Sequence, residues 1–556
     1  MVAIDRRVGW IFVAFLALLA VAVARAVDLG VVQGGSLHQA AVSQQITNEP
    51  IPAVRGTITD TNGVPLALSE AADDIIADPF LIKAPMAAAE KLAPLLHMPV
   101  LTLYASLSKS RTGYVRVARQ VTATTAQQAM ALDINGLSTV PDAKRVYPRD
   151  TFMAQVLGGV NAQGQGYSGL ESLYNSVLTG KPGERRIVND ARGQAIAVDT
   201  VRAMQPGKTV RLTISAPLQD EVEQVLAGVG AQYSPQNATA IVMNPNTGAI
   251  LALANWPQIN ANDPYASGNT AEVDNAIQDH AVSLTYEPGS TFKAVTVAGA
   301  LQDGLITPST DFDIPPYLSV YGTEIHDAED HGYEELSTAG ILRVSSNIGA
   351  DLIGQKLGAD RFNYWVHRFG LGQPTGVDLP GEDSGYVLSP SQYSGTSMYN
   401  LPFGQGESVT PIQMATVYSA IANGGILRAP HIVQAIGNQA QPTPAGHRII
   451  SATTAAELRQ MLIGVYADGG TASGAGIPGY QMAGKTGTAN IAIDGHYSDS
   501  EYVASFVGMV PADHPQLLGM VVVDDPQNGE YGGTVAAPAF QKIVGWAVPY
   551  FGINPH

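Results

Sequence analysis

The sequence predicts a mixed α/β (α+β) protein. An antiparallel sheet with helices on both faces is preceded by an extended N-terminal region and one membrane-spanning helix. Three observations predict this. The stretch "ATAIVMNPNTGAILALANW" holds two apolar, strand-like runs joined by Asn-Thr-Gly, a hairpin signal. Near the C-terminus, "MAGKTGTANI", "YVASFVGMVP" and "LLGMVVVDDP" read as three more strands. Between the two groups, from 290 to 465, lie helical patterns punctuated by Gly and Pro. Strands that open and close a domain around a helical middle belong in one sheet, with the first and last adjacent.

At the N-terminus, "DRRVGWIFVAFLALLAVAVARAVD" sets Arg6 and Arg7 before an apolar run at 8–27. Twenty helical residues span about 30 Å, the thickness of a bilayer core. Arg25 falls near the end of the run, where it can snorkel. The flanking arginines keep a short tail, 1–7, in the cytoplasm and direct the rest of the chain outside. Ala22-Val23-Ala24 and Ala24-Arg25-Ala26 resemble signal-peptide cleavage sites, but the run is longer than a signal core, so a retained anchor is expected.

Residues 31–49 are small and polar with a Gln-rich helical pattern and read as a stalk. "VRGTITDTNGVPLAL" follows, with Asn62-Gly63 marking a hairpin. Residues 71–135 alternate short strands with Ala-rich helices. "GYSGLESLYNSVLTGKPGERRIVND" reads as a helix closed by Gly180 and then a strand. "KTVRLTISAPLQDEVEQVLAGVG" reads as a strand followed by an amphipathic helix from about Pro217. The expected divisions are a tail at 1–7, a transmembrane helix at 8–27, a non-catalytic region at 28–211 and a catalytic domain at 212–553.

Composition narrows the chemistry. Of the 556 residues, 48 are acidic and 30 basic, a net charge of −18, and no basic face suggests a nucleic-acid partner. With no cysteine, disulfides, zinc-thiolate sites and cysteine nucleophiles are excluded. "EIHDAEDHGYE" gathers His326, Asp327, Glu329, Asp330 and His331, but without His-Glu-x-x-His spacing it reads as a solvated acidic loop rather than a metal site. No Gly-x-Ser-x-Gly elbow occurs. Neither a metal nor a cofactor is expected.

One lysine interrupts the apolar helical run in "YEPGSTFKAVTVAGAL". It is Lys293, three residues after Ser290. On a helix these two share a face. A serine hydroxyl needs a base to take its proton. Burial among Phe292, Val295 and Val297, at a helix start, disfavours a charged lysine and makes it that base. Ser-x-x-Lys alone is weak, because it recurs at Ser106 and Lys109 in a polar, loop-like stretch. Two further motifs decide for Ser290: Ser345-Ser346-Asn347 in "LRVSSNIGADLIGQKLG", and Lys485-Thr486-Gly487-Thr488 in "MAGKTGTAN". Ser-x-x-Lys, Ser-x-Asn and Lys-Thr-Gly, in that order, form the penicillin-recognising serine enzyme set.

With these motifs the chain resembles the class B penicillin-binding proteins, monofunctional D,D-transpeptidases of peptidoglycan synthesis, nearly end to end. "VRGTITDTNGVPLA" is similar to a family element in which Thr61 replaces the usual arginine. "GYSGLESLYNSVLTGKPG", "FGQGESVTPIQMATVYSAIANGG" and "YGGTVAAPAF" are similar to others. The resemblance implies the penicillin-recognising transpeptidase fold, with 28–211 as a dimerisation-like pedestal. It implies that Ser290 attacks the D-Ala-D-Ala carbonyl of a stem peptide and that Lys293 takes its proton. Ser345 would relay protons, and Asn347 would hold Lys293 and the substrate amide. Lys485 would supply positive potential, and Thr486, Gly487 and Thr488 would line the substrate strand. The N–H groups of Ser290 and Thr488 would form the oxyanion hole.

Implied partners are peptidoglycan stem peptides, β-lactams, a polytopic membrane glycan polymerase and division proteins. A septal role is favoured over elongation. A serine β-lactamase of class A would need Glu-x-x-x-Asn between the second and third motifs; Glu382, Glu407 and Glu457 lie there, and none has Asn four residues later. Gly9, Ala14, Ala17, Ala20 and Ala24 recur along the membrane segment as a stripe against which a polymerase helix could pack.

Overall fold

The computed structural model describes residues 2–35, 46–189, 195–266, 270–493 and 495–555. Most of the expected stalk, 36–45, lies outside the described residues. The N-terminal helix runs Val2–Val27 and continues as one π-type turn, Asp28–Val32. Within it, Arg7–Val32 has a mean hydropathy of 2.4 with none of its apolar window buried, so it is long and apolar enough to cross a membrane.

Packing divides the chain into two compact units. One comprises 1–54, 71–143 and 180–207; the other comprises 55–70, 144–179 and 208–556. In the first, the distal part of strand Pro65–Ala77 pairs with Val115–Val121, and helices Pro85–Leu96, Val100–Leu107 and Ala123–Met130 supply a small core around Ile75, Leu92, Leu103 and Leu107. The same unit holds a three-stranded sheet in the order Ile46–Ile51, Gly183–Asn189, Ala195–Arg202. Ser106 falls within helix Val100–Leu107 rather than in the loop its polar surroundings suggested, and Lys109 is exposed beyond the helix end.

The second unit contains the predicted sheet. Among the described residues its strands run in the order Ile250–Trp256, Asn237–Met243, Leu517–Asp524, His496–Val510, Ala483–Ile493, every neighbour antiparallel. The opening and closing strands are adjacent, as expected. Period-two alternation sends Leu517, Val521 and Val523 to one face and Leu518, Met520 and Val522 to the other. Helices Ala216–Tyr233 and Gly532–Tyr550 cover the first face. Helices Lys293–Gln302, Pro411–Ala422 and Ala452–Ile463 belong to the core on the second. Burial on both faces explains why these strands are continuous apolar runs rather than alternating ones.

Segments 55–70 and 144–179 belong to this unit too. Glu171 is fully buried, its carboxylate bridging Arg55 Nε at 2.6 Å and Arg145 Nε at 2.6 Å. The helix predicted over this stretch is instead two short ones, Gly169–Leu173 and Asn175–Leu178. They are broken at Tyr174, where Asn175 Oδ1 accepts from Arg55 Nη1 and from Gly166 N–H. Side-chain capture of the neighbouring chain outweighs continuation of the helix.

Candidate active site

Ser290 lies in a short 3₁₀ helix, Gly289–Phe292, which runs directly into the α-helix Lys293–Gln302. In a 3₁₀ turn, residues three apart lie directly above one another, so Ser290 and Lys293 share one face. The turn is pressed against strand Ala483–Ile493. A Cβ at Gly289, whose φ is +52°, would meet Thr488 O at 2.7 Å, and one at Gly487 would meet Ser505 Oγ at 2.3 Å and Pro288 O at 2.9 Å. These two glycines let the Ser290 turn and the Lys-Thr-Gly strand touch.

Lys293 is fully buried. Its Nζ donates to Ser345 O at 2.5 Å and to Asn347 Oδ1 at 2.8 Å, with Ser345 Oγ at 3.2 Å. A neutral amine has two N–H donors and one lone pair. In the neutral form two donors serve the two shorter bonds, and the lone pair is where a proton is received. Burial pulls the Lys293 pKa down to about 7, against the opposing pull of Asp327 and Asp351.

Ser345 caps helix Thr338–Val344 in the left-handed region, φ 64° and ψ 39°, uncommon for a residue with a Cβ. There both its carbonyl and its hydroxyl reach Lys293. Asn347 opens helix Asn347–Leu357 and donates from Nδ2 to His326 O at 2.9 Å.

Asp327 anchors this corner. Its Oδ1 accepts from Asn347 N–H at 2.5 Å and Ile348 N–H at 3.0 Å, while Oδ2 accepts from Ser346 Oγ at 2.6 Å and lies 3.2 Å from His331 Nε2. Its side chain is 9% exposed, so the solvated-loop reading of "EIHDAEDHGYE" is corrected at this residue. A carboxylate at a helix N-terminus satisfies N–H groups that the helix leaves unpaired. Glu287 was also missed. It accepts from Gly406 N–H at 3.0 Å and from Tyr497 Oη at 3.0 Å, fixing the segment just before Ser290.

On the strand side, Lys485 is fully buried, its Nζ 3.2 Å from Thr486 O. Burial and then the like charge of Lys293 hold its pKa well below the usual lysine value. Thr486 Oγ1 lies 2.7 Å from Thr471 Oγ1, and Thr488 Oγ1 accepts from Gly532 N–H at 3.0 Å. The structure thus joins Lys293, Ser345 and Asn347 by direct hydrogen bonds and packs the Ser290 turn on the Gly487–Thr488 strand. Among the described residues no group of three or more acidic or histidine side chains is arranged to hold a metal ion.

A buried, neutral-capable lysine one turn from a serine can activate a nucleophile. Comparison with known proteins decides which one. The family model described as the penicillin binding protein transpeptidase domain matches residues 238–545, and the penicillin-binding protein dimerisation domain matches 50–212. The chain belongs to the class B penicillin-binding proteins. The transpeptidase is 32% identical to stage V sporulation protein D of Bacillus subtilis, over 94% of this chain and 82% of that protein. It is 32% identical to peptidoglycan D,D-transpeptidase FtsI of Escherichia coli, over 94% of this chain and 87% of the other. A crystal structure of penicillin binding protein 3 from Mycobacterium tuberculosis, complexed with aztreonam, superposes with a TM-score of 0.70 at 30% identity, covering 91% of this chain and 98% of that one.

Proposed function

We propose that this transpeptidase crosslinks peptidoglycan stem peptides through an acyl-enzyme on Ser290, in septal wall synthesis. The observation that carries the reading is Lys293 Nζ, buried and held by Ser345 O and Asn347 Oδ1 within one turn of Ser290. Lys293 takes the Ser290 proton as Oγ attacks the carbonyl of D-Ala-D-Ala. The N–H groups of Ser290 and Thr488 receive the developing oxyanion. Ser345 passes the proton to the departing D-Ala amine and later accepts one from the attacking amine of a second stem peptide. Asn347 holds Lys293 and the substrate amide. Lys485 provides positive potential, and Thr486, Gly487 and Thr488 form the wall for the terminal carboxylate. β-Lactams acylate the same serine.

In this reading residues 28–211 form a non-catalytic pedestal and 212–553 the catalytic domain. The N-terminal helix anchors the chain with 1–7 inside and the catalytic domain outside, and its small-residue stripe packs against a polytopic glycan polymerase. In growing cells a labelled copy is expected in a midcell band; uniform lateral signal through division would favour an elongation role instead.

The alternative of a β-lactamase-like hydrolase has a direct test. Glu407, between the second and third motifs, is buried and pushed up to about 8 by burial. With no Glu-x-x-x-Asn pattern between the second and third motifs, the penicilloyl adduct is expected to outlast drug washout by far more than a turnover time. Intact-mass spectrometry reads this directly, and loss of the adduct within seconds would identify a hydrolase.

A further inference from the structure

Glu287 is unused by the roles above, yet three segments meet at its carboxyl group. It stands three residues before Ser290. Backbone bonds hold the stretch around it to a second segment. Tyr286 N–H donates to Val409 O at 3.0 Å, Val409 N–H to Tyr286 O at 2.9 Å, and Gly289 N–H to Gly404 O at 3.0 Å. From that second segment Gly406 N–H donates to Glu287 Oε1 at 3.0 Å. The third segment arrives through a side chain: Tyr497 Oη lies 3.0 Å from Glu287 Oε2 and 3.2 Å from Oε1. Burial pushes the Glu287 carboxyl up, and the Gly406 and Tyr497 bonds oppose that shift. A carboxyl oxygen accepts in either protonation state, so the Tyr497 bond requires no particular one.

Tyr497 stands on strand His496–Val510, in the outer part of the hairpin which that strand makes with Ala483–Ile493. Along the third motif the hairpin is regular, and Lys485 through Asn490 pair in unbroken register with Val507 through Tyr502. Beyond Asn490 the register breaks. The next pair is Ala492 with Tyr497, so Ile491 alone stands against 498–501. A bulge of this kind bends the strand and interrupts the ladder. The ladder therefore does not by itself fix the outer hairpin against the Ser290 turn, whereas the Tyr497 bond crosses directly from one to the other.

We propose that the Glu287–Tyr497 pair is a positioning element for acylation: it ties the outer hairpin to the segment that carries Ser290 and so holds the nucleophile in register with the Lys485–Thr488 strand. The proposal rests on the reading above, in which Ser290 attacks and the N–H groups of Ser290 and Thr488 receive the oxyanion. Those two donors stand on the two segments that the pair joins. Both must reach one oxygen, so a slip of one segment against the other weakens the hole. The oxyanion develops only as the carbonyl is attacked, so the loss falls on the transition state rather than on binding of the β-lactam.

The test is saturation kinetics of acylation by a chromogenic cephalosporin, followed by stopped flow on the full-length chain. Tyr497→Phe keeps the ring, which is 43% exposed, and removes the hydroxyl, so the melting temperature is expected to change little. Its limiting acylation rate is expected to fall about tenfold, while the half-saturating concentration changes by less than about threefold. In a Glu287→Ala background the same Tyr497→Phe change is expected to cost nothing further, because the bond is already gone. Glu287→Leu, which also lacks an acceptor, serves as the background should the alanine variant fail to fold. A wild-type limiting rate in Tyr497→Phe overturns the proposal. So does a fall of equal size in both backgrounds, which would mean that the hydroxyl acts without Glu287. A raised half-saturating concentration with an unchanged limiting rate overturns it too, marking the hydroxyl as a ligand contact. Failure of the underlying reading is seen separately: a Ser290→Ala variant that still acylates removes the nucleophile and this inference with it, whereas a dead Ser290→Ala beside a wild-type Tyr497→Phe removes the pair alone.

Discussion

Ser290→Ala is expected to abolish covalent labelling by a fluorescent penicillin, while Ser106→Ala leaves labelling intact. Both serines have lysine three residues on. The difference lies in what surrounds each pair. Lys293 is fully buried and bonded to the second motif, whereas Lys109 is exposed past the end of helix Val100–Leu107. Removing a catalytic nucleophile costs on the order of a million-fold in rate for serine enzymes. Here the readout is harsher, because without Oγ no acyl bond can form. The Ala variant removes one half-buried hydroxyl at the first turn of a well-packed helix, so melting temperature should change little. Labelling that survives Ser290→Ala in a folded protein would sink the assignment.

The motifs were legible because their chemistry demands fixed residue types at short spacing. Ser290 and Lys293 are neighbours on any helix, and Lys485-Thr486-Gly487 announces itself on a strand. What could not be read is what spacing does not encode. Asp327 is about twenty positions before Asn347, in a stretch whose acidic composition is that of a solvated loop; only tertiary folding brings it under the helix start. The 3₁₀ geometry at Ser290 depends on Gly289 and Gly487 allowing close approach, which appears in sequence as two unremarked glycines. In the sheet, strand identity was clear from β-branched apolar runs, and adjacency followed from their order in the chain. The break at Tyr174 was not visible, because side-chain bonds from Asn175 to Arg55 and Gly166 impose it.

Lys293→Met is expected to lower acylation by about 10²- to 10⁴-fold, the usual contribution of a positioned base, and to erase the acidic limb of the wild-type pH profile. The sign follows from which form is active. The neutral amine accepts the Ser290 proton. With its pKa brought down to about 7 by burial, Lys293 is mostly neutral above that pH and mostly ammonium below it. The wild-type acylation rate should therefore fall roughly tenfold per pH unit below about 7 and level off above it. An exposed lysine of ordinary pKa would instead give a rate still climbing towards pH 10, at roughly tenfold per unit. Lys485 is also buried, and its pKa is also lowered, so it is the rival owner of any limb. The two can be separated. Part of the Lys485 shift comes from the positive charge of Lys293, so a limb belonging to Lys485 would persist in Lys293→Met and move to higher pH as that like charge is removed. A limb belonging to Lys293 disappears. Stopped-flow acylation with a chromogenic cephalosporin across pH 5 to about 9, on wild type and Lys293→Met, reads each case. A profile that is flat across that range in the wild type would mean that neither lysine titrates there and that the proton of Ser290 leaves by another route.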